Sequence, residues 1–155
     1  MRLLSLVALA TFLVDQLSKV YILHGLDLIM RGAIDVVPPY LNLRMAWNTG
    51  INFGLFGGGT DTTRWLLIGI ALVIVAFVLV WVRRDPPGRA GMVAAGLLVG
   101  GAFGNVVDRL LYGAVADFLN MSCCGIANPF AFNVADIAIF AGAVGLAVLP
   151  SRRRG

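Results

Sequence analysis

The chain has 155 residues, 59% of them hydrophobic and only 13% charged, with a formal net charge of +4 and a mean hydropathy of +0.90. That is too apolar for an ordinary water-soluble domain, and long apolar runs divided by short polar segments describe a small polytopic membrane protein. The basic residues gather in RRDPPGR at 83–89 and in the tail SRRRG; clusters of this kind beside apolar runs report membrane topology, so no nucleic-acid partner is expected.

The first predicted span covers 3–23. It opens as a signal peptide would, with Arg2 before an apolar core, but no small-x-small cleavage pattern follows and the apolar character continues past Lys19. It is therefore read as a retained span. His24, the only histidine, follows it as an interfacial residue. The segment 24–64 contains VVPPYLNLRMAWNTGINFGLF, with a proline pair and alternation through YLNLRMAW. Such a pattern predicts short strands, and a small sheet over 35–56 is expected to rest on the membrane beside the site. Gly50, Gly54 and the triplet Gly57 to Gly59 mark turns or mobile loop.

The second span, 65–82, is WLLIGIALVIVAFVLVWV, without an ionisable group and with Trp65 and Trp81 at its ends. Its length of about 27 Å approaches the hydrocarbon thickness, and the tryptophans match an aromatic belt. The third span, 91–111, and the fourth, 133–150, are rich in glycine and alanine, which lets helices approach closely in lipid. The expected fold is thus an all-α polytopic membrane protein of one domain. It has four transmembrane helices, with the small sheet and loops on the extracytoplasmic side.

An even number of spans puts both termini on one side, together with Arg2, Arg83, Arg84, Arg89 and Arg152 to Arg154. Positive residues favour the cytoplasm, so segments 24–64 and 112–132 face outward. One set of polar groups then lies together toward the outer face. Asp15 and Lys19 are four apart and pair on one face of the first helix. Asn105 and Asp108 are three apart near the end of the third span, followed by Arg109. Asp117 comes shortly after that span, and Asn133 and Asp136 open the fourth.

Ionisable residues at membrane depth are expensive and point to function. The chain has no glutamate, so the acidic chemistry rests on eight aspartates. One histidine at the far end of another loop makes Ser-His chemistry a poor fit. Metal binding is not expected, because the adjacent Cys123 and Cys124 have no CxxC partner. GLFGGGT lacks the lysine of a phosphate-binding loop. Two close carboxylates remain: they share one proton, one activating water while the other donates to a carbonyl. From the residues alone the pair could be any two of Asp15, Asp108, Asp117 and Asp136.

The motifs DQLSK (15–19), NTGINF (48–53), GGAFGNVVDR (100–109), VADF (115–118) and FNVAD (132–136) occur together and in order over nearly the whole chain. In this the sequence resembles the bacterial lipoprotein signal peptidases, the type II signal peptidases. The resemblance implies a membrane aspartyl endopeptidase of the bacterial inner membrane that needs no cofactor. Its catalytic pair would be Asp117 and Asp136, with Asn48, Gly50, Asn105, Arg109 and Asn133 lining or bracing the site. Asp15 and Asp108 would support structure. The implied substrates are prolipoproteins carrying diacylglyceryl on the lipobox cysteine, cleaved just before that cysteine. The implied partners are membrane lipids and globomycin-type cyclic peptide inhibitors, and the chain is expected to be monomeric. The stretch LNMSCCGIANPFA at 119–131 departs from the family pattern in lacking a tryptophan. The main rival reading, a small transporter, predicts symmetric halves or acidic groups along a path through the membrane. The first two spans do not echo the last two.

Overall fold

A computed structural model describes residues 1–50, 60–123, 125 and 128–149. Helix α1 (Arg2–Val20) continues into a π-helical turn (Tyr21–Gly25), followed by the short α2 (Leu28–Arg31). Strands β1 (Ala33–Val37) and β2 (Leu41–Asn48) form a hairpin whose turn holds a cis Pro38–Pro39 bond. Helices α3 (Thr60–Arg84) and α4 (Arg89–Tyr112), strand β3 (Val115–Asn120) and helix α5 (Val134–Val148) complete the order.

Three of the expected spans correspond to helices long and apolar enough to cross a membrane: Arg2–Gly25, Asp61–Arg84 and Arg89–Tyr112. The helical part of the fourth is shorter, the 15 residues Val134–Val148. Asn133, expected inside it, is instead its N-cap, and Pro150 lies outside the described residues. Large apolar side chains on the helix surfaces, including Leu6, Leu17, Val73, Phe77 and Phe140, are more than 60% exposed. Water would penalise such a surface and lipid would not.

The sheet is antiparallel in the order β1-β2-β3. The hairpin was legible in the alternation of 40–47; the third strand was not. VADF reads as chain leaving a helix, yet its Ala116 and Phe118 are fully buried against Leu23, Leu28 and Leu43. That apolar cluster seats the sheet on the π-helical turn and α2. The expected sheet segment beyond Gly50 lies outside the described residues.

Helix α4 is the axis of the bundle, packing against α1, α3 and α5. Gly96, Gly100 and Gly104 recur every fourth residue on its α1 face, where added Cβ atoms would collide with Val7 and the Leu4 carbonyl, with the Ala8 carbonyl, and with the Asp15 carboxylate. At the end away from the sheet, Leu4, Val75, Val78, Val82, Ala95, Leu98, Val99 and Ala102 form an apolar core. Close backbone approach replaces side-chain volume along the rest of this seam, as expected where lipid gives no hydrophobic drive. Gly100→Ala is therefore expected to lower stability by about 1–3 kcal/mol, read as a fall in Tm in detergent. Gly69→Ala, with nothing within 4 Å of the added methyl, is expected to be neutral or to stabilise by about 0.5–1 kcal/mol.

Candidate active site

Alternation along β3 sets the direction of Asp117. Its neighbours Ala116 and Phe118 point into the apolar cluster, so Asp117 points to the other face. There it lies opposite Ala46 of β2, with Asn48 on the diagonal beside it. The small Ala46 side chain leaves room for the carboxylate. Asp117 is only 3% exposed, and the Asn48 Nδ2 donates to its Oδ2 at 3.1 Å. The Asn48 Oδ1 in turn accepts from the Gly50 N–H at 3.0 Å. Gly50 has φ +98° and would drive a Cβ into Leu67, so only glycine suits this position. It holds the Asn48 amide in orientation and does not itself meet the carboxylate.

Asp136 is placed by a helix start. Asn133 caps α5 reciprocally: its Oδ1 accepts from the Asp136 N–H at 2.9 Å, and its own N–H donates to Asp136 Oδ2 at 3.1 Å. This capping box satisfies two orphan donors of the first turn and fixes the half-buried Asp136 carboxylate at the helix start.

Two asparagines then join the aspartates. The Asn133 Nδ2 donates to Asp117 Oδ1 at 2.7 Å and to Asn105 Oδ1 at 3.2 Å. The Asn105 Nδ2 donates to Asp136 Oδ1 at 2.9 Å. Each of the four carboxylate oxygens thus accepts one N–H from a neutral group. Burial pushes the Asp117 carboxyl up from the ordinary aspartate value, and the charge of Asp136 pushes it further, while the hydrogen bonds from Asn48 and Asn133 and the charge of Lys19 pull it back. The balance is a pKa of about 6.

Behind this pair lies a buried ionic cluster. The Lys19 Nζ sits 2.8 Å from Asp15 Oδ2 and 2.8 Å from Asp108 Oδ2. The expected Asp15–Lys19 pair is present, and Asp108 joins it. Gln16, not singled out in the sequence, donates to Asp15 Oδ2 at 3.0 Å and to Asp108 Oδ1 at 3.1 Å. Its place in DQLSK was the available signal. Arg109 stands apart from the cluster: among the described residues it makes no ion pair, and its Nη1 donates to the Asn105 carbonyl of its own helix at 3.4 Å.

Asp117, Asp136, Asn48, Asn105 and Asn133 therefore form one network, with Gly50 one hydrogen bond further out. Asp15, Lys19 and Asp108 form a second cluster against the same elements. Among the described residues there is no group of His, Cys and Asp that could hold a metal ion.

Helices long and apolar enough to cross a membrane, with two carboxylates joined at one end by asparagine amides, define the class as a polytopic membrane protein with a buried polar site. The sequence model of the signal peptidase II family matches residues 7–150. The lipoprotein signal peptidase of Methylorubrum extorquens is 43% identical over 94% of this chain and 82% of its own length. That of Rhodopseudomonas palustris is 37% identical over 94% and 89%. A bacterial membrane enzyme solved by the in meso method at 1.9 Å is 27% identical, covers 92% of this chain and 88% of its own, and superposes with a TM-score of 0.78. The chain belongs to the signal peptidase II family, and so is a peptidase of a bacterial membrane.

Asn133 both caps α5 and bridges the aspartates, and the two tasks can be separated. Serine is a good N-cap but lacks the amide donor. Asn133→Ser is expected to keep most of the helix stability while raising the Asp117 pKa above about 6, because a hydrogen bond to its ionised form is lost. Side-chain carboxyl NMR titration checks the shift, and thermal unfolding checks the cap.

Proposed function

We propose that this chain is an aspartic endopeptidase that removes the signal peptide of diacylglyceryl-modified prolipoproteins, cleaving just before the lipidated cysteine. The observation that carries this reading is the Asn133 bridge between Asp117 and Asp136, in a member of the signal peptidase II family. The relatives are lipoprotein signal peptidases, which supports the same substrate class here.

In the proposed reaction Asp117, whose pKa is raised, holds the shared proton and donates it to the scissile carbonyl oxygen. Asp136, half-buried, takes a proton from the attacking water. The water oxygen bonds to the carbonyl carbon and gives a tetrahedral diol. On collapse a diol hydroxyl returns its proton to Asp117, Asp136 passes its proton to the leaving nitrogen, and the C–N bond breaks. The amide donors of Asn48, Asn105 and Asn133 hold both carboxylates in place through this exchange. Asn48, Gly50 and Arg109 are the residues proposed to meet the substrate backbone, and globomycin-type cyclic peptides would bind at the same residues.

The proposed topology has four spans, with α5 as the fourth, and both termini in the cytoplasm. The site then lies at the outer face of the inner membrane. Two acyl chains, each contributing about 0.8 kcal/mol per buried methylene, hold the substrate cysteine at one depth and register the preceding peptide bond against the pair. The chain is taken to work as a monomer within membrane lipids. The rival transporter reading gains no support, since the buried charges sit at one end of the bundle and not along a path through it.

Purified protein in detergent is expected to cleave a lipobox peptide only when its cysteine carries diacylglyceryl, and Asp117→Asn is expected to abolish cleavage while the fold is kept. Cleavage of the unlipidated peptide at the same rate would defeat the depth argument. Full activity of the variant would remove Asp117 from the chemistry. In the free enzyme the shared proton is lost as pH rises through about 6, so kcat/KM is expected to fall there. The limb in kcat should lie at higher pH, because bound substrate deepens the burial of Asp117; rates measured from pH 5 to about 9 test this.

A further inference from the structure

The ionic cluster behind the site makes two contacts that charge pairing alone does not require. Asp108 Oδ2, besides meeting Lys19, accepts the backbone N–H of Ala116 at 3.1 Å. Asp15 Oδ1 accepts the backbone N–H of Ala135 at 2.9 Å. Ala116 immediately precedes Asp117, and Ala135 immediately precedes Asp136.

Both N–H groups are donors their own elements leave over. Ala116 donates from the edge of β3 away from β2, the edge on which the Phe118 N–H goes to the Phe132 carbonyl. Ala135 lies in the first turn of α5, where N–H groups have no partner within the helix. One ammonium thus ties together two carboxylates, and each holds the peptide unit next to one aspartate of the pair. Gln16 closes the arrangement by donating to both carboxylates and, at 3.4 Å, to the Gly104 carbonyl.

We propose that Lys19, Asp15 and Asp108, with Gln16, are positioning residues for the reaction: they lock the backbone one residue upstream of Asp117 and of Asp136, and so fix the separation of the two carboxylates. The proposal rests on the reading of those aspartates as the catalytic pair. It differs from a role in fold stability alone, because the cost of loosening it falls on the geometry of the folded enzyme. Misplacement of a reacting group by about 1 Å can cost about 100-fold in rate.

The test compares Asp108→Ala with Asp108→Asn, which retains an oxygen acceptor for the Ala116 N–H. Turnover of a lipobox peptide bearing diacylglyceryl-cysteine is measured per folded molecule, alongside Tm. Asp108→Ala is expected to lose about 100-fold in kcat with KM little changed, and Asp108→Asn to recover most of that loss. Gln16→Met keeps side-chain length and helix propensity while removing the cross-linking amide. It is expected to lower kcat several-fold with Tm close to that of the unaltered protein, and it carries the test if Asp108→Ala does not fold. The proposal is overturned if the folded variants turn over at the unaltered kcat, or if their loss appears in KM alone. Asp117→Asn is assayed in parallel: its full activity would sink the catalytic pair itself, whereas an inactive Asp117→Asn beside a fully active Asp108→Ala would sink only the positioning role.

Discussion

One ammonium between two carboxylates organises the sheet end of this bundle. Asp15 and Asp108 are both 0% exposed and Lys19 is 4% exposed, so none of the three charges has water to fall back on. Removing one partner from such a cluster typically costs about 3–5 kcal/mol, since the remaining charge is left buried. The close helix seam makes the contact possible. Gly104 leaves free the space into which the Asp15 carboxylate projects from α1, so a missing side chain on one helix is the seat of a charged one on the next. Apolar packing brings α1, α4 and α5 together, and the ionic cluster then fixes their register where β3 and the start of α5 meet them.

The pair in front of that cluster is held by neutral donors. A lysine or arginine within hydrogen-bonding distance of Asp117 or Asp136 would favour the ionised form of both carboxylates and strip the site of its proton. Amides fix the geometry without fixing the charge to the same degree. Burial and the neighbouring carboxylate then dominate the proton affinity of Asp117. Lys19 pulls only weakly on Asp117 from behind, and Arg109 turns to its own helix backbone. The division of labour is physical: charges hold the scaffold, and neutral dipoles hold the two carboxylates.

The three long helices were legible because lipid-facing helices need no polar stripe, and their apolar runs end where the chain becomes polar. The Asp15–Lys19 pair followed from helical spacing. Asp108 as its third member did not, because spacing within one helix says nothing about which neighbour approaches. Strand β3 escaped because VADF carries too few residues for a period to emerge, and its burial depends on the π-helical turn and α2 beneath it. The candidate site was readable as a set of polar residues crowded toward one end. Its wiring was not, since it runs through backbone N–H groups and through both ends of the Asn105 and Asn133 amides, which no side-chain pattern reveals.

The tripeptide Val-Ala-Asp occurs twice, at 115–117 on a strand and at 134–136 at a helix start. In each copy the alanine N–H is taken by a carboxylate of the same buried cluster. The backbone before each aspartate is therefore moored directly to the helical bundle. The chain that runs between them is pinned at its base by the Leu119–Phe132 bridge and by the Asn120 amide, which donates to the carbonyls of Asn128 and Phe130. Two identical tripeptides in different backbone conformations are thus fastened at the same alanine to the two carboxylates that share one buried ammonium, so a single change at Lys19 would loosen the backbone before both aspartates at once.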